Sequence, residues 1–126
     1  LREMLEFVAQ LSSAPLGEKG CFTIAAASEL LPGDEEVKSK VSSKFNNIIN
    51  ELEWILVRGQ QEGIFRQDEH ARVMAQSIFM MLEGMRIYGK LQPEIKELQS
   101  TNDFIVRTIL AENYNKAGQL SVKASA

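Results

Sequence analysis

The sequence is short of the residues that metal-binding, cross-linked and catalytic proteins rely on. Its 126 residues include one cysteine, Cys21, and one histidine, His70. A single cysteine excludes an internal disulfide, which fits a reducing compartment, and a redox sensor would need a second cysteine. A zinc or di-iron site needs several ligands at helical spacing, and no Glu-x-x-His pattern is present. We therefore predict no metal, no cofactor and no enzymatic activity.

Neither an excess of charge of one sign nor a long apolar run is present. The 14 basic and 17 acidic residues give a net charge of −3 and a pI near 5.2. A nucleic-acid binder usually has a basic face or a pI above roughly 9, so we do not expect this chain to hold DNA by itself. No stretch approaches the roughly 18 apolar residues of a membrane span, and no signal peptide is visible. These absences predict a cytoplasmic protein with no membrane partner.

Helical periodicity runs through the whole sequence instead. No segment shows the strict alternation of a strand, so we predict an all-α helical bundle of about five main helices. The predicted segments are 1–11, 21–31, 34–62, 68–91 and 101–115. Residues 1–118 are predicted to form one domain and residues 119–126 a frayed tail. Because Leu1 already lies in a helical pattern, the sequence is expected to be a piece of a longer protein.

The most apolar segment is 68–91, in which 13 of the last 21 residues are apolar. Its charged residues fall in one narrow stripe, which leaves an apolar arc wider than a single core requires. We expect one face to close an internal core and a second face to meet another chain. That second face carries Ala71, Ala75, Leu82 and Gly89. Phe79 is expected to lie exposed among the charges beside it.

Three motifs follow one another at a recognisable spacing. Gly20-Cys21 opens an alanine-rich helix, and Gly33-Asp34-Glu35-Glu36-Val37 starts a long helix that ends in RGQQEGIFRQD, residues 58–68. An apolar helix with Leu82-Glu83-Gly84-Met85-Arg86 comes next. Over residues 17–110, this order resembles the C-terminal effector-binding and dimerisation domain of TetR/AcrR-family transcriptional regulators.

The resemblance implies how such a chain would work. In that family the last two helices of each chain, here 68–91 and 101–115, pair with their copies as a four-helix dimer interface. A small effector would bind in the core. DNA would be bound only through an N-terminal helix-turn-helix domain, which is missing from this sequence.

Two sets of candidate site residues follow. The inward stripes of four helices predict an apolar cavity for a small hydrophobic effector, with a histidine or serine as its polar contact. The predicted lining residues are Phe7, Phe22, Phe45, Ile49, His70, Met74, Ser77, Ile78 and Met81. Methionines can re-pack around varied ligands, although an ordinary core explains them equally well. The predicted dimer interface is Ala75, Phe79, Leu82, Arg86, Phe104, Ile105 and Ile109.

Two functions remain open at this point. The first is a ligand-sensing, homodimerising domain of a TetR-like regulator, a repressor whose DNA binding is modulated by a small, largely apolar effector. The alternative is a self-contained helical adaptor that binds a partner helix in an apolar groove. Residues preceding Leu1 in the native gene would distinguish the two.

Overall fold

Five α-helices make up the computed structural model, which describes residues 1–113. They are α1 (Arg2–Ser12), α2 (Phe22–Leu30), α3 (Glu35–Gln61), α4 (Ala71–Tyr88) and α5 (Ile95–Ile109). Short 3-10 turns, Leu16–Lys19 and Gly89–Leu91, follow α1 and α4. The described residues form no β-strand, and the all-α prediction is confirmed. The tail predicted for residues 119–126 lies outside the described residues.

The long helix α3 begins where the capping pattern predicts. The Asp34 carboxylate accepts a hydrogen bond from the backbone N–H of Val37 at 3.0 Å, which satisfies one of the unpaired donors of the first turn. Glu35 and Glu36 lie in that turn, where the helix dipole favours negative charge. Past the other end, Gly63 has a φ of 74°, a conformation that glycine adopts without strain.

The start of α4 differs from the prediction. The helix begins at Ala71, three residues after the start of the predicted segment 68–91, so Asp68, a residue type that often caps helices, lies before it. The Asp68 carboxylate is instead held by Arg66, at 2.7 Å from Nε and 2.8 Å from Nη2. Because both carboxylate oxygens accept hydrogen bonds in this bidentate ion pair, the Asp68 side chain does not cap the backbone N–H groups of the first turn.

The start of α5 differs as well. The sequence around Ser100 and Thr101 resembles a capping box, but the helix begins six residues earlier, at Ile95. Both hydroxyls bond back to carbonyl oxygens one turn earlier, Ser100 to Lys96 at 3.0 Å and Thr101 to Glu97 at 3.2 Å. Serine and threonine can satisfy themselves in this way inside a helix, so the pattern does not require a helix end.

The core lies where α1, α3, α4 and α5 meet. The inward side of α4 contributes a continuous stripe with helical spacing: Ala71, Met74, Ala75, Ile78, Phe79, Leu82 and Met85. The most completely buried large apolar residues come from all four helices: Leu5, Leu52, Leu56, Ile78 and Ile105. One chain therefore fills the whole inward side of α4 by itself.

The end of α4 packs closely against the end of α1. A Cβ on Gly17 or Gly89 would overlap the backbone of Ser12, so both positions require glycine. The Arg86 guanidinium donates to the carbonyl oxygens of Leu11 at 2.7 Å and Gly20 at 2.6 Å. The close backbone approach and these two hydrogen bonds hold the α1–α2 connection against α4.

Candidate functional site

The charged side of α4 faces α3 and not solvent. Phe79, expected to be exposed among those charges, is only 6% exposed. Its ring packs on that of Phe45 from α3, with centroids 4.9 Å apart and planes inclined at 58°. Two turns earlier, Arg72 donates to Asn50 at 2.6 Å and to Glu53 at 3.0 Å, both on α3. The expectation for Phe79 was wrong because the charges of α4 pair with polar residues of α3.

Glu83 lies on the same side of α4, one turn after Phe79. Burial raises the pKa of its carboxyl, and the positive charges of Arg86 and Lys44 offset part of that rise. One carboxylate oxygen is shielded from solvent and accepts no hydrogen bond from residues 1–113. An ionised carboxylate without a partner is unfavourable in such surroundings.

The solvent side of α4 is apolar. Met80 is 67% exposed and Leu91, just past the helix, 75%. We call this face the α4 outer stripe, and it consists of Val73, Ser77, Met80, Gly84, Ile87 and Leu91. The steps between successive members alternate between four and three residues, which places them on one line along the helix. The sequence-based prediction missed this stripe, although its spacing was readable from the sequence.

Helix α5 has one large exposed apolar residue, Phe104. At the end of α4, the hydroxyl of Tyr88 donates to the carboxylate of Glu97 on α5 at 2.6 Å. That hydrogen bond and the negative charge of Glu97 raise the pKa of Tyr88. The contact links the end of α4 to the first turn of α5.

Most of the predicted interface residues lie inside their own chain. Five of the seven are buried in the core: Ala75, Phe79, Leu82, Ile105 and Ile109. The Arg86 guanidinium already donates hydrogen bonds to the carbonyl oxygens of Leu11 and Gly20 in its own chain. Phe104 is the member that a second chain could reach, because it is exposed.

The nine residues predicted to line a cavity do not come together. Ile49, Met74 and Ile78 are buried in the main core, and Phe45 and Met81 pack against it. Four point outward: Phe7, Phe22, His70 and Ser77. Phe22 is 88% exposed because it begins α2, and Phe7 is 63% exposed because Leu5 and Ala9 form the inner side of α1. The expectation that Phe7 and Phe22 face inward was therefore wrong.

Helix α2 has the fewest buried residues of the five helices. Thr23 is its one buried residue, while Ile24 and Cys21 beside it are half-buried. Its main packing partner is α3. Apolar side chains of α2 are therefore incompletely covered at its junction with α3.

The sequence comparison settles the family. The family model described as "Tetracyclin repressor-like, C-terminal domain" matches residues 1–104 of this chain. The chain belongs to this family. No curated protein and no solved structure gives a significant match. The TetR-like domain thus has its helices α1 to α4 and most of α5 within the matched region.

Two other site types were sought in the TetR-like domain. Across the described residues 1–113, no group of three or more histidine, cysteine, aspartate or glutamate side chains is placed to bind a metal ion. No helix in that range is long and apolar enough to cross a membrane. The α4 outer stripe and the α2–α3 junction are thus the two surfaces to which a function can be attached.

Proposed function

We propose that this TetR-like domain homodimerises and senses a small, largely apolar effector as part of a cytoplasmic transcriptional repressor. Membership of the tetracyclin repressor-like C-terminal family supports this role. DNA would be bound by a helix-turn-helix domain elsewhere in the full-length protein, and the effector would change the spacing of two such domains through the dimer. The single observation that carries the homodimer is the α4 outer stripe.

The length of the stripe supports an interface. From Val73 to Leu91 it is about 27 Å long, at roughly 1.5 Å per residue. Four of its side chains are large, apolar and exposed: Val73, Met80, Ile87 and Leu91. A continuous line of large exposed apolar side chains is unusual for a surface that meets only water.

The solution mass tests the homodimer. We expect the wild-type chain to have the mass of two chains by light scattering at micromolar concentration. Met80→Glu combined with Ile87→Glu should yield monomers, because two carboxylates would be desolvated at the centre of the interface. Val57→Glu is the matched control. Val57, like Met80 and Ile87, is an exposed apolar residue, but it lies on α3. A monomeric wild type would overturn the dimer and favour an adaptor with the α4 outer stripe as its docking face.

For the effector, we propose the junction of α2 and α3. The incomplete cover of α2 where it packs on α3 supports this position. The test is thermal melting with a panel of small apolar compounds. A compound that binds there should raise the melting temperature of the wild type and of Phe22→Ala, whose side chain points to solvent. Ile24→Glu should lose the effect, and a panel without any stabilising compound would contradict the proposed site.

A further inference from the structure

We propose that two copies of this chain cross at Gly84, with their α4 helices antiparallel and the two-fold axis beside this residue. The inference rests on the proposed homodimer and specifies its register. Gly84 lies in the interior of α4 and is exposed. A Cβ added there would meet no atom of the described residues within 4 Å.

Nothing within residues 1–113 explains a glycine at this position. Alanine is a much better helix former, and there is room for its methyl group. The backbone of Gly84 is helical and has no positive φ that only glycine would tolerate. Glycine is also used where another backbone must approach closely. A glycine in the middle of the exposed apolar stripe is thus suited to the close approach of a second helix.

The residues on either side of Gly84 fit an antiparallel crossing. Ser77 precedes Gly84 by seven residues, and Leu91 follows it by seven. A two-fold axis beside Gly84 places the small Ser77 of one copy opposite the large Leu91 of the second copy. Met80 and Tyr88, four residues before and after Gly84, face each other in the same way. The small Ser77 thus meets a large residue, and Gly84 meets its own copy at the point where the two helices come closest.

A parallel pairing would use the same stripe less well. Every residue would then lie opposite its own copy, so Ser77 would meet Ser77 and Gly84 would meet Gly84. The antiparallel arrangement shares the contact between the two Gly84 residues, but the parallel one adds a second pair of small side chains, at Ser77, which would leave a gap between the helices. Close packing therefore favours the antiparallel arrangement.

Cysteine cross-linking tests the register. The background is Cys21→Ser, which removes the native thiol. A disulfide requires Cα atoms within about 7 Å of each other. Gly84→Cys should be converted to covalent dimers by mild oxidation. Ser77→Cys is the control on the same stripe, and it should stay uncross-linked because antiparallel helices hold its two copies roughly 20 Å apart, at about 1.5 Å per residue.

The outcomes separate this inference from the homodimer itself. If Ser77→Cys cross-links as fast as Gly84→Cys, the helices are parallel and the inference is wrong, although the dimer stands. A dimer in which neither variant cross-links also rejects the register. A wild-type chain that is monomeric by light scattering rejects the homodimer.

A second measurement reports on the close approach at Gly84. Gly84→Leu should raise the dissociation constant of the dimer by roughly tenfold or more, since the leucine separates the two helices. Ser42→Leu is the matched control, because Ser42 is an exposed helical position on α3. Helicity at high dilution should not fall in Gly84→Leu, because leucine is the better helix former. An unchanged dissociation constant would overturn the inference.

Discussion

Phe79→Ala is the substitution that most directly tests the packing of α4. The sequence placed this ring in the seam between two chains, whereas the structure buries it against Phe45 in the core of one chain. The two locations have different consequences. A core residue stabilises each folded chain, while an interface residue stabilises the association of two chains.

The expected cost follows from the burial of the ring. Truncating a buried phenylalanine to alanine typically costs about 3 to 5 kcal/mol. Phe45 is partly exposed and can shift into the space, so we expect the lower end, about 3 kcal/mol. For a chain of this length, that loss corresponds to a fall in melting temperature of roughly 10 to 15 °C. Met80→Ala serves as the comparison, because Met80 is largely exposed in the single chain.

Melting at two protein concentrations, tenfold apart, distinguishes the two roles. The melting temperature of a dimer depends on concentration, because unfolding releases two chains. Phe79→Ala should lower the melting temperature by a similar amount at both concentrations. Met80→Ala should have an effect that is largest at the higher concentration and shrinks on dilution, since it weakens association in the proposed dimer and leaves the core intact. If Phe79→Ala costs less than about 1 kcal/mol and acts mainly at the higher concentration, the buried position of Phe79 is refuted.

Two further predictions concern polar groups of α4. Arg86→Ala should destabilise the chain by about 2 to 4 kcal/mol in urea unfolding, because the carbonyl oxygens of Leu11 and Gly20 lose charge-assisted hydrogen bonds. Lys38→Ala, at an exposed position on α3, should change the free energy of unfolding little. Equal effects of the two substitutions would contradict the stabilising role of the Arg86 hydrogen bonds. Glu83→Gln should stabilise the chain at pH 7. Since burial raises the folded pKa of Glu83, stability falls as pH rises through that pKa and the carboxylate ionises. The gain should vanish near pH 4, where the unfolded carboxyl is also largely protonated, and an equal gain at both pH values would contradict this account.

Much of the bundle could be predicted from the sequence. The positions of α1, α2 and α3 follow from apolar periodicity and from local signals such as the Asp34 cap and Gly63. These signals act within a few residues, so they can be read without knowing the rest of the fold. The start of α5 could not be read in this way, because hydroxyls at Ser100 and Thr101 satisfy themselves equally well inside a helix.

The candidate site was harder to predict than the fold. Phe7 and Phe22 belong to helices whose apolar arcs are broad, so periodicity did not decide which edge of each arc is covered. That decision depends on which helix packs alongside, and such contacts join residues far apart in the sequence. The half-buried state of α2 likewise depends on α3 lying under it.

The side of α4 that faces solvent could not be predicted from hydrophobic periodicity. Hydrophobic periodicity gives the angle between residues around a helix but does not say which direction is solvent. Charges usually mark the solvent side, and that rule fails here because Arg72 and Glu83 lie against α3, where Asn50, Glu53 and Lys44 provide compensating groups. With the polar side taken up by α3, the remaining free side of α4 is the one with Met80 and Gly84. The exposed apolar side of α4 is thus the reverse of the one predicted. The exposed Gly84 on that side is the observation on which the proposed contact with a second copy rests.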